Sequence, residues 1–247
     1  MDSGLEFSTF TVLFLGGTFL AALIAGLGGF AFGVVAAAVW LYILTPLQTA
    51  ALIMGLGLVV QGYSVWKLRH ALRWQRLAPF IVGAFFGVPL GVLMLAHADP
   101  HYLRVGVGVV LVLFSLYGLL RPTIKPIKAG ATAGDVGAGF LNGVLGGATG
   151  LAGIIAIIWC QLRGWAKDEQ RAVFQPVGVA TFAMSAVWLG GQGSISREVI
   201  WLFVIALPAL LVGTCLGLKF YSWLDEAQFR KLVFILLFAS GAVLLFR

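Results

Sequence analysis

Charge is scarce in this chain. Of its 247 residues only 10% are charged, while 61% are hydrophobic. An ordinary soluble domain has about 25% charged residues, and a water-facing surface cannot be assembled from so few. Histidine and cysteine are scarcer still, at three and two. His70, His97 and His101 fall at loops or ends of apolar runs, where solvation explains them. Cys160 and Cys215 lie inside apolar stretches without CxxC spacing, which leaves no disulfide framework and no metal site. Neither HExxH, GxSxG nor GxxxxGK[ST] occurs, and no pair of aspartates lies inside an apolar run. The reading is of a protein that is not an enzyme and takes no metal or cofactor. Residues 1–6 contain Asp2 and Glu6 and lack the basic n-region of a cleavable signal, so the first apolar run is read as part of the mature chain.

What the chain has instead is apolar length. Mean hydropathy is +1.03, and about 20 apolar residues suffice for one helical crossing of a bilayer. Runs and punctuation divide the sequence into segments 8–26, 29–44, 47–66, 78–96, 101–120, 133–147, 150–162, 172–190, 198–218 and 228–246. Asp99-Pro100 and Ser196 before Glu198 are helix-start signals. The fold class is therefore all-α, a polytopic transmembrane bundle of about ten segments.

Charge also orients it. The net charge of +7 sits in loop clusters between apolar runs, which speaks for retention on the cytoplasmic side and against nucleic acid. If 8–44 and 133–162 are each broken at glycine, 13 of the 16 basic residues share one side, and only Arg104, Arg197 and Arg247 face the other. Eight unbroken spans divide them 9 against 7. The positive-inside bias favours the broken arrangement and puts both termini outside the cytoplasm. Five segments per half is an odd number, so the halves, 1–128 and 129–247, are expected to be inverted repeats within one integrated domain. Internal similarity agrees: Gly26-Leu27-Gly28-Gly29 resembles Gly150-Leu151-Ala152-Gly153, and Gly87-x-x-x-Gly91 resembles Gly213-x-x-x-Gly217.

Segments 29–44 and 150–162 reach only about 20–24 Å, short of a roughly 30 Å hydrocarbon core. Broken helices are tolerated at that depth only against protein or a water-filled cavity. Each break frees amide hydrogens at a helix N-terminus, which attracts anions. The ends around Gly28, Gly29 and Phe30, and around Leu151, Ala152 and Gly153, are expected to converge on one anion site. Asn142, Thr149, Gln61 and Gln175 are candidate polar partners, with Thr45, Gln48 and Thr181 on the same segments. Close helix packing through small residues is the competing explanation of the glycines. No charged residue is placed mid-span: Asp135 is assigned to a helix start and Arg171 to a basic loop.

On the Gly26–Gly29 run, Pro46, the basic loop Lys67–Arg76, the Gly87/Gly91 helix and the repetition from Gly139 onward, the chain resembles the TauE/SafE family over nearly its whole length. That resemblance implies a secondary carrier for a small sulfur-containing anion such as sulfite, sulfoacetate or another organosulfonate, in the bacterial inner membrane. The partners implied are that anion and the lipid bilayer, with a homodimer left open. An anion channel and a non-transporting membrane partner or sensor are the alternatives.

Overall fold

In a computed structural model the described residues are all but 1, 98–99, 121–126, 128–130, 150–151, 191–195 and 246–247. Among them the secondary structure is helical throughout. The helices are α1 (Asp2–Gly28), α2 (Phe32–Trp40), α3 (Pro46–Lys67), α4 (Trp74–His97) and α5 (Pro100–Leu120). They continue as α6 (Ala131–Thr149), α7 (Ile154–Leu162), α8 (Lys167–Gly190), α9 (Arg197–Trp223) and α10 (Glu226–Leu245), with a 3-10 turn at Arg69–Ala71. Thr9–Gly28, Trp74–Met94, Arg197–Trp223 and Glu226–Leu245 are long and apolar enough to cross a membrane, and Ala51–Lys67 and Gly108–Leu120 are shorter apolar helices. Phe85, Phe86, Leu113, Val187, Trp201 and Trp223 are all at least 60% exposed, a surface suited to lipid rather than water.

Local chemistry sets several helix starts. Thr45 accepts the Gln48 amide while the Gln48 side chain accepts the Thr45 amide, and Pro46 opens α3 behind this capping box. Ser196 accepts the Val199 amide at 3.3 Å and starts α9 where the sequence placed it. The Asp99 signal lies outside the described residues. Gln48 also donates to Glu198 at 2.9 Å, which ties the starts of α3 and α9 together. Thr45 and Gln48, expected near the anion site, are thus engaged at a helix end instead.

Two helical hairpins organise the interior. Glycine breaks after α1 and after α6 turn the chain back on itself. Along the first hairpin Trp40 Nε1 donates to the Phe14 carbonyl at 3.4 Å, and Gly17 leaves room for Val39. Along the second, Trp159 Nε1 donates to Asp135 Oδ1 at 2.7 Å, and the Trp159 ring covers Gly134. Asp135 is therefore not a helix-start residue: it lies buried in the second turn of α6, with the indole as its partner. The returning helices, α2 and α7, have nine residues each. That is about 13 Å, less than half a hydrocarbon core and shorter than the sequence segments implied.

Packing is exchanged between the halves. Gly83, Gly87 and Gly91 of α4 face the backbone of α6 at Val136, Phe140 and Val144, and Gly139, Gly143 and Gly147 of α6 face α4 in return. The counterpart is α1 on α9: Gly213 and Gly217 abut Phe19 and Leu23, and Gly26 abuts Gly217. A Cβ at Gly87 would come within 2.1 Å of the Phe140 carbonyl oxygen, so these backbones meet with no side chain between them. In the centre Gly57 of α3 receives Phe182 of α8, and Gly178 of α8 receives Gln61 of α3.

The basic loops gather at one end. Arg76 pairs with Glu169 at 2.8 Å. The Trp165 ring lies under the guanidinium groups of Arg76 and Arg163, at 5.0 and 5.5 Å. Ile127 bonds to Leu162, and Lys167 to Leu224. Loops after α3, α5, α7 and α9 thereby touch. Eight unbroken spans would have set the last two opposite the first two.

A small cavity between two helix breaks

The breaks have the backbone that glycine permits. Gly29 and Gly153 adopt φ of +86° and +96°, and Ala31 adopts +69°, the one non-glycine residue with positive φ among those described. At Gly29 a side chain would also collide with the Phe174 ring, at 2.7 Å. The N-cap residues Ala31 and Gly153 supply no side-chain cap, so among the described residues the first amides of α2 and α7 lack intrahelical acceptors and a cap from their own N-cap residue.

Asn142 holds the second break in shape. Its Oδ1 accepts the Gly153 amide at 2.9 Å, and its Nδ2 donates to Thr181 Oγ1 at 3.4 Å. Thr181 in turn donates to the Val177 carbonyl at 2.8 Å. All three groups are buried, and this chain of bonds links α6, the loop and α8.

Both breaks open on one cavity. The first contributes Gly29, Phe30, Ala31, Phe32, Gly33 and Val34, and the second Ala152 and Ile154. Gln61 and Phe182 enter from α3 and α8, and Ser240 from α10. Gln61 and Phe182 stand each four residues after the glycine that receives the other, so the cavity lies where the halves reciprocate. Its volume is about 20 Å³, on the scale of a single water molecule. The lining is largely apolar, with amide and hydroxyl donors from Gln61 and Ser240 and two helix starts.

Of the residues singled out from sequence, Gly29, Phe30, Gln61 and Ala152 line this cavity, and Gly153 falls in the chain between the lining residues Ala152 and Ile154. Asn142 supports the break from behind. Gly28 ends α1 against Leu236 and is not in the lining. Gln175 is buried on α8 and is not in the lining, and its Oε1 has no partner among the described residues. Leu151 lies outside the described residues, as does the Thr149 side chain. The helix ends themselves are at Phe32 and Ile154, a few residues later than expected, because the positive-φ residues Ala31 and Gly153 belong to the turns.

Sequence reasoning missed Phe182 and Ser240, which nothing marks as special, and it misplaced Arg171. This arginine is not in a solvated loop. It lies in the second turn of α8 with no exposed surface, its guanidinium 4.0 Å from the Tyr221 ring centre. Its two terminal nitrogens donate to the carbonyls of Gly26, at 2.8 Å, and Leu27, at 3.4 Å. The signal available was Asp168-Glu169 just before it, the acidic first turn that marks α8 as starting at Lys167.

Apolar helices long enough to cross a membrane, with large exposed hydrophobic side chains, make this a multi-pass membrane protein. The sequence profile of the family described as Sulfite exporter TauE/SafE matches residues 13–244, and the chain belongs to that family. It is a membrane transporter, not an enzyme. It is similar to the probable sulfite/organosulfonate exporter TauE of Cupriavidus necator, with 27% identity over 211 residues, 82% of this chain and 80% of the relative. No solved structure matches it.

Proposed function

We propose that this chain carries a small sulfur-containing anion, sulfite or an organosulfonate, across the bacterial cytoplasmic membrane by alternating access. The relative's name supplies the substrate class. The observation that carries the site is the cavity lined jointly by both helix breaks. Partial positive charge from the amides of α2 and α7, with Gln61 and Ser240 as neutral donors, suits an oxyanion. At about 20 Å³ the cavity is too small for one, so its walls must part for loading, first toward one face and then the other. The halves act as inverted repeats. Support comes from the exchanged pairs α1–α9 and α6–α4 and from the gathering of all four basic loops at one end. That end is cytoplasmic by charge, with both termini on the opposite side. A negative-inside potential assists anion export by about 2.3 kcal/mol per charge per 100 mV, so uniport suffices.

Uptake of labelled sulfite into proteoliposomes tests this. Saturable flux, accelerated by an interior-positive potential and competed by sulfoacetate, is the expected result. Flux that stays linear with concentration, together with single-channel conductance, refutes the carrier. Absence of any flux with sulfite, sulfoacetate and taurine refutes the substrate class.

A further inference from the structure

We infer that Arg171 is an anion-binding residue of this transporter, whose Nε–H is a donor reserved for the oxyanion behind the wall made by Gly29. The inference rests on the proposed function and adds to it a cationic group outside the cavity lining.

Arg171 is fully buried, and no carboxylate lies within ion-pair distance of it among the described residues. Asp168, the near acid, accepts the Tyr221 hydroxyl instead. The guanidinium is therefore balanced only at a distance by Asp168 and by the Tyr221 ring, with no carboxylate in direct contact, and a buried charge held this way is costly. Capping the last carbonyls of α1, a helix end that attracts a cation, is one use. Capping occupies only the terminal nitrogens. Among the described residues Nε has no hydrogen-bond partner. It faces Gly29, where a Cβ would come within 3.1 Å of it, and Gly29 lines the cavity. The missing side chain at Gly29 is thus what separates an unused, charged donor from the space between the breaks. An oxyanion arriving there would accept from Nε while the terminal nitrogens keep Gly26 and Leu27, a division of labour that a guanidinium's fixed fork allows and an ammonium does not. The charge is one-sided: α3, the counterpart of α8, has no cation before Lys67. Arg171 lies toward the end where the basic loops gather, close to the Lys167 ammonium that shares the Tyr221 ring.

The test is ligand-induced stabilisation of the purified full-length protein, titrated with sodium sulfite against sodium chloride at matched ionic strength, for wild type, Arg171→Gln and Arg171→Lys. Losing a charge-assisted donor should raise the half-saturating sulfite concentration roughly tenfold or more in Arg171→Gln, with Arg171→Lys between it and wild type. If Arg171→Gln does not fold, Arg171→Lys decides: half-saturation within twofold of wild type overturns the proposal. Wild-type half-saturation in a folded Arg171→Gln overturns it too, and leaves the transporter reading standing. No sulfite-specific stabilisation of wild type overturns the proposal for sulfite, while the transporter reading stands or falls on the flux assay.

Discussion

Replacing Gly87 by alanine puts a methyl group where α4 and α6 have only backbone. Its carbon would lie 2.1 Å from the Phe140 carbonyl oxygen and 2.9 Å from the Val144 nitrogen. Ordinary carbon–oxygen contact is about 3.3–3.6 Å, so the helices must separate by roughly an ångström along this seam. Carbonyls in mid-helix cannot rotate away. A gap of about 0.5–1 Å forfeits a quarter to a half of each dispersion contact, and Gly83, Gly91, Gly139, Gly143 and Gly147 share the seam. Overpacking of this kind costs about 1–3 kcal/mol, against a helix-propensity gain of roughly 0.5–1 kcal/mol. Gly137 on the same α6 is the control, because a Cβ there meets nothing within 4 Å. Reversible unfolding in mixed detergent and SDS micelles, followed by tryptophan fluorescence, should show Gly87→Ala destabilised by about 1–2 kcal/mol. Gly137→Ala should equal or exceed wild type. A Gly87→Ala protein as stable as wild type, or a Gly137→Ala protein that falls as far, would refute the reasoning.

The two positive-φ glycines should separate by severity. Gly153→Ala bears backbone strain alone, about 1–2 kcal/mol, since its nearest neighbour is 3.7 Å away. Gly29→Ala adds a clash with Phe174, so it should be the less stable of the two by thermal unfolding, and the weaker transporter. Asn142→Ala strands the buried Gly153 amide and should lose about 1–3 kcal/mol in the same unfolding assay, with slowed uptake. Equal stability to wild type would show that the second break holds its shape without this strut.

The breaks were legible because glycine clusters interrupt apolar runs and because counting basic residues on each side demanded them. The matching Gly87/Gly91 and Gly213/Gly217 pairs were legible as a repeat, but what they touch was not. Phe140 and Val144 lie on the helix paired with α4, and Phe19 and Leu23 on the helix paired with α9; neither pairing leaves a periodic trace in a uniformly apolar sequence. The same uniformity hid Phe182 and Ser240. Arg171 was misread for a different reason. A charge near the end of an apolar run reads as solvated, and only the tertiary approach of α1's last carbonyls and the Tyr221 ring draws it inside.

The glycine seams constrain how the molecule can move. Each joins a helix of the first half to one of the second, α1 to α9 and α4 to α6, with main chain against main chain. The N- and C-terminal halves therefore cannot swing as two separate bodies, because doing so would tear both seams at once. Any large motion would have to carry these cross-half pairs as units. Under the proposed alternating access, the short α2 and α7, with unusual backbone angles where each begins, are the joints left to move.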